Sequence, residues 1–242
     1  KKAEELECEV ARLCGMKYGV LVINQKAAML LACIGCGIGV GKKVVIPSMH
    51  KIFHRSILEV LHVDVQTCEL DPQTLLPLLD EQTESDAIIF SNPLHAPFFK
   101  KQNCIVIEDL GEHVGKCSGD AGIVNFDGIG AVILFNNQQE KNIAVAARDW
   151  GRAGTQDEAF DGRFNNNSIE NVRYDWKFIF TNIGFNFRSC EMCAAIALER
   201  LKLNKLPPTL SETSNGCSFQ SLGYEIADDS NARHIFESYS LV

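Results

Sequence analysis

At 242 residues, with 46% apolar residues, the chain has material for one large α/β domain or two small ones, which excludes disorder as its default state. The formal charge of −8 comes from scattered acids with no basic block, which removes the electrostatic footprint of a nucleic-acid binder. No signal-like segment opens the chain and no apolar segment reaches bilayer length, so a cytoplasmic protein without membrane contact is expected.

In residues 2 to 15, Ala3, Leu6, Val10 and Leu13 recur at three- and four-residue intervals, the period of an amphipathic helix. Gly19 to Ile23 is an apolar run of strand length, and the Ala/Leu-rich stretch from Ala27 to Cys36 predicts a helix after it. The glycines between Gly35 and Gly41 follow that helix and precede the strand Lys43 to Ile46. A phosphate-binding fingerprint needs the reverse order, and Lys43 stands where a P-loop requires Ser or Thr, so these glycines mark a helix stop.

Val63-Asp64-Val65 is strand-like, and Asp71-Pro72 supplies an N-cap and first-turn proline for a helix through Leu79. Ala87 to Phe90 and Cys104 to Ile107 are two further apolar runs that end in polar residues. Such runs, separated by helix-length segments, indicate a mainly parallel central sheet flanked by helices on both faces. Ligands bind such sheets beyond the carboxyl ends of the strands, which is where Asp109 falls. Gly130 to Phe135 and Ile143 to Ala147 flank the polar stretch Asn136 to Asn142 and read as two strands joined by a turn. Residues 154 to 173 read as a long polar surface loop, and a helix is expected from Ser189 to Asn204, with Met192, Ala195 and Ile196 on one face.

The ten cysteines are spread along a chain too large to need stapling, so reduced thiols are expected. Cys33/Cys36 and Cys190/Cys193 have C-x-x-C spacing, but each pair lies in a segment that reads as helix, where cysteine behaves as a small hydrophobe. No metal site is expected. A stand-alone zinc or redox protein built on these pairs ranks third among the functional readings.

Arg148-Asp149-Trp150-Gly151-Arg152, then Tyr174-Asp175-Trp176-Lys177, then Thr181 to Arg188 and Glu191 to Ala197 form an ordered series. It resembles the DegT-type family of fold-type I pyridoxal-phosphate-dependent enzymes, which aminate or deoxygenate nucleotide-linked sugars. Within that family the series is most similar to the sugar 3-dehydrase branch. The resemblance implies an aspartate-aminotransferase-like large domain over residues 1–206. Residues 207–242 are then a remnant of a C-terminal domain that is largely missing, or a poorly ordered tail.

The resemblance also implies a site. Asp109 corresponds to the carboxylate that keeps the ring nitrogen of pyridoxal 5′-phosphate protonated, so that the ring acts as an electron sink. His113 follows it closely and lines the same cleft. Asn186 matches an asparagine that reaches the cofactor phosphate of a neighbouring subunit. The family's small-residue phosphate nest corresponds to Asn24 to Ala28, where Lys26 supplies a point charge instead. The ring-stacking aromatic falls at Lys51, with His50 or Phe53 as substitutes in a slipped register. The Schiff-base position, histidine in the dehydrase branch, falls within Gln138 to Lys141, and Lys141 is the candidate nucleophile.

Two functional readings result. One is a pyridoxal-phosphate-dependent protein of the nucleotide-sugar aminotransferase or dehydrase type, with catalysis impaired or lost through the altered nest, ring and lysine positions. The other is an inactive homologue serving as a partner subunit or nucleotide-sugar binder. Both imply a dimer, with a second copy or with a longer active relative.

Overall fold

The computed structural model describes residues 1–72, 74–79, 84–92, 98, 104–112, 114–152, 168–202 and 224–226. The chain opens with helix α1 (Lys2–Leu13), strand β1 (Tyr18–Val22) and helix α2 (Gln25–Gly35). Strands β2 (Lys43–Pro47) and β3 (Met49–Lys51) lead into helix α3 (Ile52–Val60). Strands β4 (Asp64–Cys68), β5 (Ala87–Ser91), β6 (Ile105–Asp109), β7 (Ala121–Phe126) and β8 (Gly130–Phe135) follow, then helix α4 (Gln138–Arg148). Two short strands, β9 (Ser168–Ile169) and β10 (Val172–Arg173), precede helix α5 (Glu191–Lys202), and β11 (Tyr224–Ile226) pairs with β3.

Seven strands form one sheet in the order β1-β8-β7-β6-β5-β2-β4. β8 runs against both of its neighbours, and the remaining pairings are parallel. The period-two alternation of strand side chains sorts the core onto two faces. Val20, Val22, Ile107, Ile123 and Ile133 pack against α2 and α4, whereas Leu21, Val124, Val132 and Leu134 pack against α1 and α5. The expected mainly parallel sheet covered on both sides is therefore present, with its antiparallel member near one edge.

β1 forms that edge, and its exposed backbone is covered by side chains. Glu7 accepts a hydrogen bond from Leu21 N, and Arg148 donates to Leu21 O. Pairing an edge in this way removes an unpaired template for another strand.

Three local expectations are corrected. The polar stretch read as a turn before a strand at Ile143 to Ala147 is the helix α4, because Asn137 caps it by accepting from Gln139 N, and Gln, Glu and Lys favour the first turns. The helix expected after Asp71-Pro72 does not form among the described residues. Asp71 binds the N–H and hydroxyl of Thr74, and the chain folds back so that Leu70 bridges Pro77, whose missing N–H would interrupt a helix. In α5 the buried face is Ala194, Ala197 and Leu198, so Met192 is left 75% exposed. Of the stretch read as a surface loop, residues 154–167 lie outside the described ones. The remainder holds β9 and β10, joined through Glu170 and Asn171 in left-handed backbone conformations.

Candidate functional site

Parallel strands end on one side of the sheet, and there the chain places a fully buried carboxylate. Asp109 closes β6 with its side chain on the α2 face, as the alternation Ile105, Ile107, Asp109 requires. Two helices start beside it. Asn24 caps α2 by accepting from Ala27 N, which brings Gln25 to the rim of the site. Lys51 ends β3 and occupies the N-cap position of α3 with its side chain turned to the site, on the same side as His54 three residues on.

These residues converge on the carboxylate. Gln25 Nε2 and Gly111 N donate to Asp109 Oδ1 at 2.7 and 2.9 Å. His54 Nε2 and Lys51 Nζ meet Oδ2 at 3.0 and 3.1 Å. A carboxylate offers about four lone-pair positions, and protein donors fill all of them.

Burial alone would raise the Asp109 pKa. The Lys51 charge, the His54 hydrogen bond and the Gly111 N–H together overcome it and hold the group far below the usual carboxylate range. Burial lowers the His54 pKa against the pull of Asp109, so His54 is a neutral donor. His54 Nδ1, the acceptor of that tautomer, is buried without a hydrogen-bond partner among the described residues. Asp109 and Lys51 therefore form a compensated pair, supported by two neutral side chains.

Glu108, one residue earlier, points to the opposite face. It accepts from Ser118 N at 3.1 Å, and burial raises its pKa. A second polar centre lies at the β1 edge, where Arg148 and Arg188 both pair with buried Asp149. Burial would raise Asp149, but the hydrogen bonds from Arg188 and Arg148 bring it below its ordinary value.

Among the described residues singled out in the sequence, Asp109 meets the Lys51 position directly. Lys26 is exposed in the first turn of α2, next to Gln25. Asn186 is exposed and bridges Asp149 at the β1 edge. His113 lies outside the described residues. His50 is buried and bonds Pro47 O, and Phe53 packs edge-on against His54.

Lys141 is not brought to Asp109. It lies in α4 beside the Gly35 end of α2, where a Cβ added at Gly35 would stand 2.9 Å from Glu140 O. Asp109 sits at the Gln25 end, and the 11 residues of α2 span about 15 Å. The Lys141 charge acts on Glu7 at the outer edge of β1. That edge is three strand spacings from β6, about 14 Å.

Sequence reasoning missed Gln25, His54 and Gly111 as members of the cluster. The three-residue spacing of Lys51 and His54 carried the only local signal, and it needed α3 to be recognised as a helix. Of the C-x-x-C pairs, Cys33 and Cys36 are buried along α2, and the Cys190 and Cys193 sulfurs lie 3.3 Å apart at the start of α5. Among the described residues, no group of three or more His, Cys, Asp or Glu could hold a metal ion, and no helix is long and apolar enough to cross a membrane.

No family model matches the sequence. The chain is 25% identical over 217 residues to a GDP-perosamine synthase of Caulobacter vibrioides, covering 82% of this chain and 56% of that protein. It thus spans little more than half of the curated relative's length. Among solved structures, the E. coli GDP-4-keto-6-deoxy-D-mannose-3-dehydratase with bound hydrated PLP superposes with a TM-score of 0.66 at 21% identity, covering 86% of this chain and 61% of that one. A DegT DnrJ EryC1 StrS aminotransferase from Brucella abortus gives 0.62 at 16% identity over 84% of this chain and 58% of the other. The fold is that of the aspartate-aminotransferase-like large domain, and the sequence likeness is to GDP-perosamine synthases.

Proposed function

We propose that this chain, a divergent relative of the pyridoxal-phosphate-dependent nucleotide-sugar aminotransferases and dehydratases, keeps their scaffold while its catalysis is impaired or lost. The observation that carries this reading is the separation of Lys141 from Asp109 by the length of α2. A cofactor-linking amine has to reach the ring that the carboxylate holds, and the Gln138 to Lys141 segment cannot supply it.

Pyridoxal 5′-phosphate is the cofactor that the family resemblance supports, and it would supply an electron sink for carbanion chemistry. Among the described residues Asp109 alone is of the type that the cofactor needs, and the surrounding residues do not fit it. The carboxylate's acceptor positions are filled by the chain, Lys51 stands where a stacking aromatic belongs, and the α2 amino terminus carries Gln25 and Lys26 instead of small hydroxyl residues.

The function supported best is that of a partner subunit or nucleotide-sugar binder in the cytoplasm. Trp150, Phe178, Phe180 and Ile183 leave large apolar side chains in solvent, with Ile183 89% exposed. A rim of this kind marks an interaction surface. It lies beside exposed Asn186, the residue that the resemblance assigns to a neighbouring subunit's phosphate, and a dimer covers it. The division into a 1–206 large domain and a 207–242 segment belongs to the same reading, with β11 of that segment hydrogen-bonded to β3.

Incubating the full chain with pyridoxal 5′-phosphate, an amino donor and a GDP-linked 4-keto sugar tests the proposal. No turnover is expected, while calorimetry detects binding of the nucleotide sugar or of a longer relative. Turnover would overturn the loss of catalysis, and absence of both bindings would overturn the partner and binder roles.

A further inference from the structure

We propose that Lys51 is the built-in occupant of the Asp109 site: its ammonium holds the acceptor position that a protonated ring nitrogen would use, and so it determines whether the site takes a pyridine-type cofactor. The inference rests on the reading that this site descends from a cofactor-binding one, and it concerns affinity instead of covalent attachment or turnover.

Four observations support it. Asp109 is fully withdrawn from solvent, and each of its oxygens already accepts two protein donors. Lys51 is the only cation among those donors, because His54 is neutral, Gln25 is an amide and Gly111 contributes a backbone N–H. The Lys51 side chain is itself only 12% exposed and lies against Gly111, so its head fills space at the carboxylate. Finally, β11 pairs Tyr224 with Lys51, which fixes the backbone from which the side chain projects.

A protonated ring would bring a second positive charge to the same oxygen. Two cations within contact of one buried carboxylate repel each other, so the ring and Lys51 exclude each other. Removing the Lys51 charge leaves Asp109 short of a counter-charge, and this favours entry of a cationic ring. Replacing Lys51 by arginine restores a resident cation and keeps the site closed.

Equilibrium dialysis of the full chain against pyridoxamine 5′-phosphate tests this, since a probe without an aldehyde cannot decorate surface lysines. Lys51→Met and Lys51→Gln are expected to bind at least roughly tenfold more tightly than wild type, with Lys51→Arg as weak as wild type. If wild type binds as tightly as the folded neutral variants, the inference is overturned. A second readout needs no variant: acylation of wild type followed by peptide mapping should spare Lys51 while modifying exposed Lys26. Equal modification of the two would also overturn it. Failure of either test leaves the loss of catalysis standing, whereas turnover by wild type would remove that reading without bearing on the relative affinities.

Discussion

Lys51 Nζ lies 3.1 Å from Asp109 Oδ2, so this buried carboxylate is neutralised by the residue at the N-cap position of the neighbouring helix. Lys51→Met should cost about 1.5–3 kcal/mol, the scale of a hydrogen bond to a charged group, because three donors still support the carboxylate. Asp109→Asn should cost a similar amount. The double variant should lose less than the sum, and additive losses in denaturant titrations would show that the two side chains do not interact.

The same pair sets a pH dependence. Asp109 has a folded-state pKa below its ordinary value of 3.8, so its stabilisation is present above that value and is lost as pH falls towards the folded-state one. The stability gap between wild type and Asp109→Asn should therefore be widest near neutrality and shrink in acid. A gap that grew on acidification would contradict the ion pair.

Glu108 behaves with the opposite sign. Burial raises its folded-state pKa above the ordinary 4.5, so its contribution is fully present below that value and is lost as pH rises through the folded-state one. Glu108→Gln keeps an acceptor for Ser118 N and should flatten the decline of the melting temperature across that window. A parallel pH profile in wild type and variant would show that Glu108 stays ionised throughout.

Gly151 and Gly184 make a backbone contact that side chains would block. Gly151 has φ of 78°, and a methyl added at Gly184 would collide with the backbone of Trp150 and Gly151. Gly184→Ala should cost at least about 2 kcal/mol and raise amide exchange in residues 181–187 first. Unchanged exchange there would mean that the segment is not seated on α4.

The apolar rim at Trp150, Phe180 and Ile183 predicts self-association. Sedimentation of wild type at micromolar concentration should give a dimer that Ile183→Asp converts to a monomer. A wild-type monomer would leave only pairing with a longer relative.

The sheet was largely legible because β1, β2, β5, β6 and β8 are short, near-continuous apolar runs buried on both faces, which leaves few other ways to cover them. The strand β7 and helix α3 drew no prediction. α4 was read as turn and strand because Ile143 to Ala147 has the apolar run of a strand, and the Asn137 cap decided the matter locally. The reading of Asp109 rested on a strand-end position that survives folding. The Lys141 assignment failed to bring the residue to Asp109 because counting along a chain carries no information on which end of α2 a helix start will face. Gln25 and His54 meet Asp109 across 84 and 55 residues of sequence, separations that no local pattern encodes.

The most direct measurement is a peptide map of the full chain after one equivalent of pyridoxal 5′-phosphate and borohydride reduction. Scattered, substoichiometric labelling of exposed lysines, unchanged in Lys141→Ala, is the expected result and leaves a family scaffold without its covalent link. Stoichiometric labelling of one lysine, at Lys141 or at Lys51, would contradict it and restore a working cofactor site.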